Sequence, residues 1–305
     1  MVDSERILVT GAGGGVGAVG RTVVELLRAR GLPVRAMVHR EDERADALRA
    51  FGAEVVAGDL TDPAAVAAAL DGCPTVFFGM SVSPAYLEAA ATVATVACAV
   101  GGVEALVGIS QMTVSQMTAL STEESHQQRL HWLSERVLDW SGLPVVHIRP
   151  TIFLDNPLFT TLAARSIAES GTIRLPFGTG RTSPIAVVDV ARVVATVLAD
   201  PRPHLGRVLE LTGPTSQDMT GVAEEFTRAL GRPVSYVDVP LDAWAERVAA
   251  TANLSPHVEE HLVTMARLHR NNRYDRSTDT VERVTGTPAR SIEEFVAERA
   301  ALFGR

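Results

Sequence analysis

Short apolar runs and stretches of helical periodicity alternate along the first half of this chain. Continuous apolar runs fit strands at 6–10, 33–39, 53–57, 74–79, 103–110 and 143–149. Between them, apolar side chains recurring every three to four positions fit helices at 17–30, 41–51, 62–70, 84–100 and 123–141. Such repeated strand–helix units predict an α/β fold with a parallel sheet covered by helices on both faces. Two helix starts are signalled directly: Thr61-Asp62-Pro63 and Ser83-Pro84 each set a capping residue before a first-turn proline.

After Pro150 the rhythm weakens. A helix fits 157–169, a Gly/Pro-rich loop 176–184, and a helix from Val187 to 199 with Asp189 in its first turn or at its cap. Short strands fit 207–211 and 234–239, and helices dominate from 220 onward. The reading is a sheet domain over 1–150 and a smaller, mainly helical lobe over 151–305, with part of 185–211 returning to the sheet. The lobe is expected over the carboxyl edge of the sheet, where parallel sheets bind ligands.

The first strand breaks into Thr10-Gly-Ala-Gly-Gly-Gly-Val-Gly17 and then into the helical pattern Val23-Val-Glu-Leu-Leu-Arg28. Gly11, Gly14 and Gly17 have the G-x-x-G-x-x-G spacing, and six glycines fall within 11–20. Glycines there let the chain turn sharply and let a pyrophosphate reach the N–H groups at the helix start. The sheet is therefore expected to be a Rossmann-type, doubly wound, dinucleotide-binding one.

Composition narrows the chemistry. At 305 residues and 46% hydrophobic, the chain can bury a large core, and a net charge of −8 argues against a nucleic-acid surface. Two cysteines, Cys73 and Cys98, point to a reducing compartment, with Cys98 expected as a packed thiol. The N-terminus runs straight into the first strand without a signal peptide, and 85–108 reads as a buried helix plus strand rather than a membrane span, so a cytoplasmic protein is expected. All 28 basic residues are arginine, which excludes Schiff-base chemistry, a P-loop lysine or a lysine acid.

The second strand ends Met37-Val-His39-Arg40 where an NAD site usually places an acid. An arginine fork suits a 2′-phosphate, so NADP(H) is favoured over NAD(H), although Glu41, Asp42 or Glu43 could serve a ribose if the loop folds back. Asp59 and Leu60 follow the third strand, suited to an adenine amino group and ring. Gly79, Met80 and Ser81 follow the fourth, beside the expected cofactor path.

Together, Val9-Thr-Gly11, Val34-Arg-Ala-Met-Val-His-Arg40, Gly58-Asp-Leu60, Ser141-Gly-Leu-Pro-Val-Val-His-Ile-Arg-Pro150 and Ser291-Ile-Glu-Glu-Phe295 resemble the NmrA-like group of atypical short-chain dehydrogenases. That group includes NAD(P)H-dependent quinone and azo reductases and NADP-sensing regulators. The resemblance implies cofactor contacts at Gly11, Gly14, Gly17, Arg40, Asp59, Leu60, Gly79 and the Pro150–Phe153 turn. Ala18-Val-Gly20 departs from the pattern as an extra turn: either the loop is expanded, or Gly14, Gly17 and Gly20 form the working triplet.

Ordinary short-chain dehydrogenases use Tyr-x-x-x-Lys on the helix after the fifth strand, and this chain has no lysine. By alignment to the family, His131 takes the lysine place and Gln127 the tyrosine place. His131 could bond the nicotinamide ribose or act as an acid near neutral pH. His126 is a second candidate for substrate contact, and Ser110, ending the fifth strand, points to the same edge. An apolar slot is expected from Met80, Ser81, Tyr86, Met112, Phe153, Asn156 and Phe159, suited to a flat acceptor. His257-Val-Glu-Glu-His261 matches an inverted zinc-peptidase motif but reads better as a solvated helix, so no metal is expected. The expected function is NAD(P)H-dependent hydride transfer to a quinone-like or conjugated small molecule. The alternatives are an NADP(H) sensor without turnover and a lyase or isomerase on the same scaffold.

Overall fold

The computed structural model describes residues 6–14, 19–251 and 254–304. Its main sheet has seven parallel strands in the order β3-β2-β1-β4-β5-β6-β8. These are β1 (Ile7–Val9), β2 (Val34–Val38), β3 (Glu54–Ala57), β4 (Thr75–Phe78), β5 (Ala105–Ile109), β6 (Val145–Pro150) and β8 (Val208–Leu211). A separate parallel pair, β7 (Thr172–Leu175) and β9 (Ser235–Asp238), belongs to the C-terminal lobe. The helices are α1 (Val19–Ala29), α2 (Glu43–Ala50), α3 (Pro63–Leu70), α4 (Tyr86–Val100), α5 (His126–Trp140), α6 (Ala164–Ser170), α7 (Val187–Ala199), α8 (Met219–Leu230), α9 (Leu241–Thr251), α10 (Pro256–Arg270), α11 (Thr280–Thr285) and α12 (Ile292–Glu298). This is the doubly wound Rossmann-type architecture, and the strand order reverses between β1 and β4.

The central strands are apolar throughout because both faces are covered. On one face α1 and α7 pack Val23, Leu27, Val190 and Val194 against Val9, Phe77 and Ile148. On the other, α3, α4 and α5 pack Val66, Tyr86, Val93 and Leu138 against Leu8, Val76 and Leu106. The lobe has its own core, in which Phe159, Ile173, Phe226, Trp244 and Phe295 are buried.

Local signals explain the helix starts. Asp62 accepts from the Ala64 N–H at 2.9 Å with Pro63 in the first turn, as the sequence implies. Ser83, by contrast, accepts from the Ala85 N–H at 3.2 Å, and α4 begins only at Tyr86 without a side-chain cap. The fifth helix starts later than the apolar pattern suggests because Ser125 and Gln128 form a reciprocal capping box. Asp189 lies in the first turn of α7, fully buried, and accepts from the Arg290 N–H at 2.8 Å. Cys73 is buried, but Cys98 is exposed, not packed: its position on α4 turns outward. The stretch from 157 onward opens with a π-helical turn, Leu158–Ala163, before α6. Among the described residues, no helix is long and apolar enough to cross a membrane.

Candidate functional site

The Thr10 hydroxyl joins the ends of β1 and β4. It donates to Gly79 O and accepts from Gly79 N, each at 2.9 Å, across the reversal in strand order. Gly11 follows with φ +64°, and a Cβ there would lie 2.4 Å from Gly79 O, so the two backbones can meet only at a glycine. The Gly14 N–H closes a turn onto Gly11 O at 3.1 Å. Gly20, in the first turn of α1, would place a Cβ 3.0 Å from Gly11 O and 3.1 Å from the Ala12 backbone. Close approach of helix to turn therefore falls to Gly20, and Gly17 lies outside the described residues.

These turns floor a groove of about 530 Å³ at the carboxyl ends of β1 to β4. Gly11, Gly13 and Gly14 line it from the first turn, His39, Arg40 and Arg44 from the end of β2, and Asp59, Leu60 and Thr61 from the end of β3. Met80, Ser81 and Ser83 close the side after β4, with Ala85 and Glu88 beyond. Its outer end is cationic. Glu41 is held by Arg49 at 2.5 Å, and Asp42 caps α2 by accepting from the Arg44 N–H at 3.0 Å, so both acids are committed. Arg40 is exposed and has no ion pair among the described residues. Asp59 accepts from the Thr61 N–H at 2.9 Å and hydroxyl at 2.8 Å, which holds its carboxyl below the usual range, and His39 stands 3.8 Å away.

The polar residues named on β5 and α5 lie behind this groove rather than in its wall. Gln127 is fully buried. Its Oε1 accepts from the Ser83 N–H at 3.1 Å and from His257 Nε2 at 2.7 Å, and its Nε2 meets His131 Nε2 at 3.1 Å. The His131 ring packs 4.1 Å from the Tyr86 ring, and burial pushes its pKa down to about 3 although the residue keeps partial exposure. A neutral imidazole at neutral pH does not serve as the expected acid. Ser110 is buried and lines a small separate chamber with His131, and it is not among the residues that line the groove.

The expected apolar slot is only partly formed. Met80 and Ser81 do line the groove. Tyr86, Met112 and Phe159 are core residues, and the Tyr86 hydroxyl donates to Ile109 O at 2.7 Å. Asn156 accepts from the Leu158 N–H at 2.9 Å, and Phe153 pairs with Ile185 while packing on the core. Pro150 ends β6 opposite Leu211, away from the groove walls.

The His257–His261 segment is only partly solvated: Glu260 is exposed, His257 half-buried and His261 buried. On α10 both histidines turn to α5: His257 bonds Gln127, and His261 Nδ1 meets the Ser125 hydroxyl at 2.8 Å. His126 stacks edge-on to His257 at 5.3 Å, and its N–H donates to Glu260 at 3.2 Å. Sequence reasoning missed this docking of α10 on α5, for which the i, i+4 histidine pair is the only local sign.

Comparison with known proteins agrees with this geometry. The model of the NmrA-like family matches residues 3–296. The chain is 31% identical over 293 residues, 95% of its length and 98% of the relative's, to an NAD(P)H azoreductase of Xenophilus azovorans. It is 33% identical over 299 residues, 97% of its length and 99% of the relative's, to a (4-alkanoyl-5-oxo-2,5-dihydrofuran-3-yl)methyl phosphate reductase of Streptomyces griseus subsp. griseus. Among solved structures, an NADPH-dependent quinone oxidoreductase of Escherichia coli with bound NADPH superposes with a TM-score of 0.82 at 24% identity, covering 96% of this chain and 99% of the other.

Proposed function

The chain belongs to the NmrA-like family, and on that premise we propose that it is an NAD(P)H-dependent reductase of a quinone-like or conjugated small molecule. The observation that carries this reading is the groove at the reversal between β1 and β4, floored by a glycine turn too tight for any Cβ at Gly11. When bound there, a reduced nicotinamide supplies hydride.

The chain's own residues bind and orient. Gly11, Gly14 and the start of α1 present backbone N–H groups to a pyrophosphate. Asp59 and Leu60 meet the adenine, and Arg40, with His39 beside it, meets the 2′-phosphate, which favours NADP(H) over NAD(H). Gly79, Met80 and Ser81 border the path of the nicotinamide half. Gln127, His131 and Ser110 hold that region from behind without offering an acid. Solvent then protonates the reduced oxygen, which a quinone-like acceptor tolerates because its reduced form is a stable phenolate. The reaction needs neither a tyrosine–lysine pair nor a metal.

The test is oxidation of NADPH and NADH by the purified protein against quinones, azo dyes and enones. Turnover with one acceptor class supports the reductase and names its substrate type. Tight NADP(H) binding with no turnover across the panel overturns it in favour of an NADP(H)-sensing protein.

A further inference from the structure

The hydrogen bonds around Gln127 fix more than that residue. The Ser83 backbone N–H can only donate, so the amide atom facing it at 3.1 Å must be Oε1. The other end of the amide is then Nε2–H, which donates to His131 Nε2 at 3.1 Å. An uncharged imidazole that accepts at Nε2 carries its proton on Nδ1.

A second histidine is fixed from the opposite side. His147, on β6, is 4% exposed and donates through Nε2 to the Asp139 carboxylate at 2.7 Å, where α5 meets solvent. Its Nδ1 is then a bare acceptor, buried and without a hydrogen-bond partner among the described residues. The Ser110 hydroxyl, 8% exposed, is in the same condition. It stands near enough to Glu135 to help lower that carboxyl, yet makes no hydrogen bond of good geometry to it.

His131, His147, Ser110 and Glu135 line one small chamber of about 10 Å³, walled otherwise by Phe78, Tyr86 and Leu138. That is room for about one water, and two unsatisfied polar atoms are the environment that retains one. We propose that a single water in this chamber accepts from His131 Nδ1–H and donates to His147 Nδ1, with Ser110 as its further partner. Asp139, His147, the water, His131 and Gln127 then form one directed relay from the surface to the Ser83 loop that borders the groove. Asp139, His147 and Ser110 are positioning residues in it: Ser83 and Gln127 set the His131 tautomer from the groove side, and these three hold its Nδ1–H from the other. A side chain that merely filled space at His147 would leave the His131 Nδ1–H and its water without an acceptor beyond them.

The experiment is a long-range proton–nitrogen correlation spectrum of the full chain labelled with ¹⁵N-histidine at neutral pH. The expected result is His131 protonated at Nδ1 only, His147 at Nε2 only, and a displaced His131 Nδ1 signal in His147→Leu. Should that variant fail to fold, Ser110→Ala gives the same reading through a displaced His131 Nδ1 signal. His131 protonated at Nε2 in the parent, or unchanged His131 signals in the folded variant, overturns the relay. The readout needs no turnover, so failure of the reductase reading leaves it standing, and its own failure leaves that reading untouched.

Discussion

Arg40 is an exposed guanidinium at the groove mouth with no ion pair among the described residues, while the neighbouring acids Glu41 and Asp42 are occupied by Arg49 and Arg44. A phosphate monoester placed there meets a cation already free to bind it, and the two acids next to that cation are already paired. Arg40→Ala should weaken NADPH binding about ten- to hundredfold, the range of a lost charge-assisted pair, and leave NADH near its parent affinity. Fluorescence titration with both cofactors decides it: equal weakening of the two would remove the 2′-phosphate role. Arg40 and Asp59 were readable in the chain because a strand end in a parallel sheet fixes where the next residues go. Ser110 also follows a strand, but the sequence could not tell that the space before its hydroxyl is closed by Tyr86, His131 and His147, residues drawn from three other elements.

Elements meet through contacts that periodicity does not record. The helical pattern around His257 and His261 places them on one face of α10, but their partners Gln127 and Ser125 lie 130 and 136 residues earlier. A polar helix face looks solvated until its partner is known, which is why this face reads as solvent-exposed in the sequence. The short β7 is hidden for a related reason: its four residues pair only with β9 of the lobe. Glycine spacing, by contrast, marks the first turn correctly but leaves the helix contact open, and the backbone settles it at Gly20. Two outcomes follow at this scale. His261→Ala leaves the buried Ser125 hydroxyl without its partner and opens a void, and should cost about 1–3 kcal/mol of stability by urea unfolding. An unchanged midpoint would mean that α10 does not depend on this bond. Gly20→Ala drives a Cβ against the Gly11–Ala12 backbone and should reduce affinity for NADPH and NADH alike, in contrast to Arg40→Ala. Parent affinity for both would show that the turn yields without consequence.

At the scale of the whole molecule, buried histidines couple stability to proton uptake. Burial pushes His131 to about 3, His261 to about 4 and His269 to about 3, against an ordinary value of 6.5. His269 is clamped between the rings of Phe177 at 4.1 Å and Tyr274 at 3.8 Å and donates from Nδ1 to Met265 O, so no room remains for a solvated cation. The unfolded chain therefore binds more protons than the folded one once the pH drops below about 6.5. Stability from these groups is complete above that value and is lost progressively down to pH 3–4. Each histidine contributes a slope on the order of 1 kcal/mol per pH unit. Tyr86 and Tyr274 act at the other limit: burial raises both phenols, so the stability they contribute should fall only when the pH exceeds the ordinary tyrosine value of 10.0. Urea midpoints should accordingly hold a plateau from near neutrality to about pH 9, where the buried Cys73 thiol, also raised by burial, begins to act, and slope steeply on the acid side. His269→Phe keeps a ring in the stack and removes one of these proton sites, so it should flatten the acid limb by about 1 kcal/mol per pH unit. A midpoint that stays level from pH 7 to pH 5 in the parent protein would show that these histidines charge without unfolding the lobe or the α5–α10 contact.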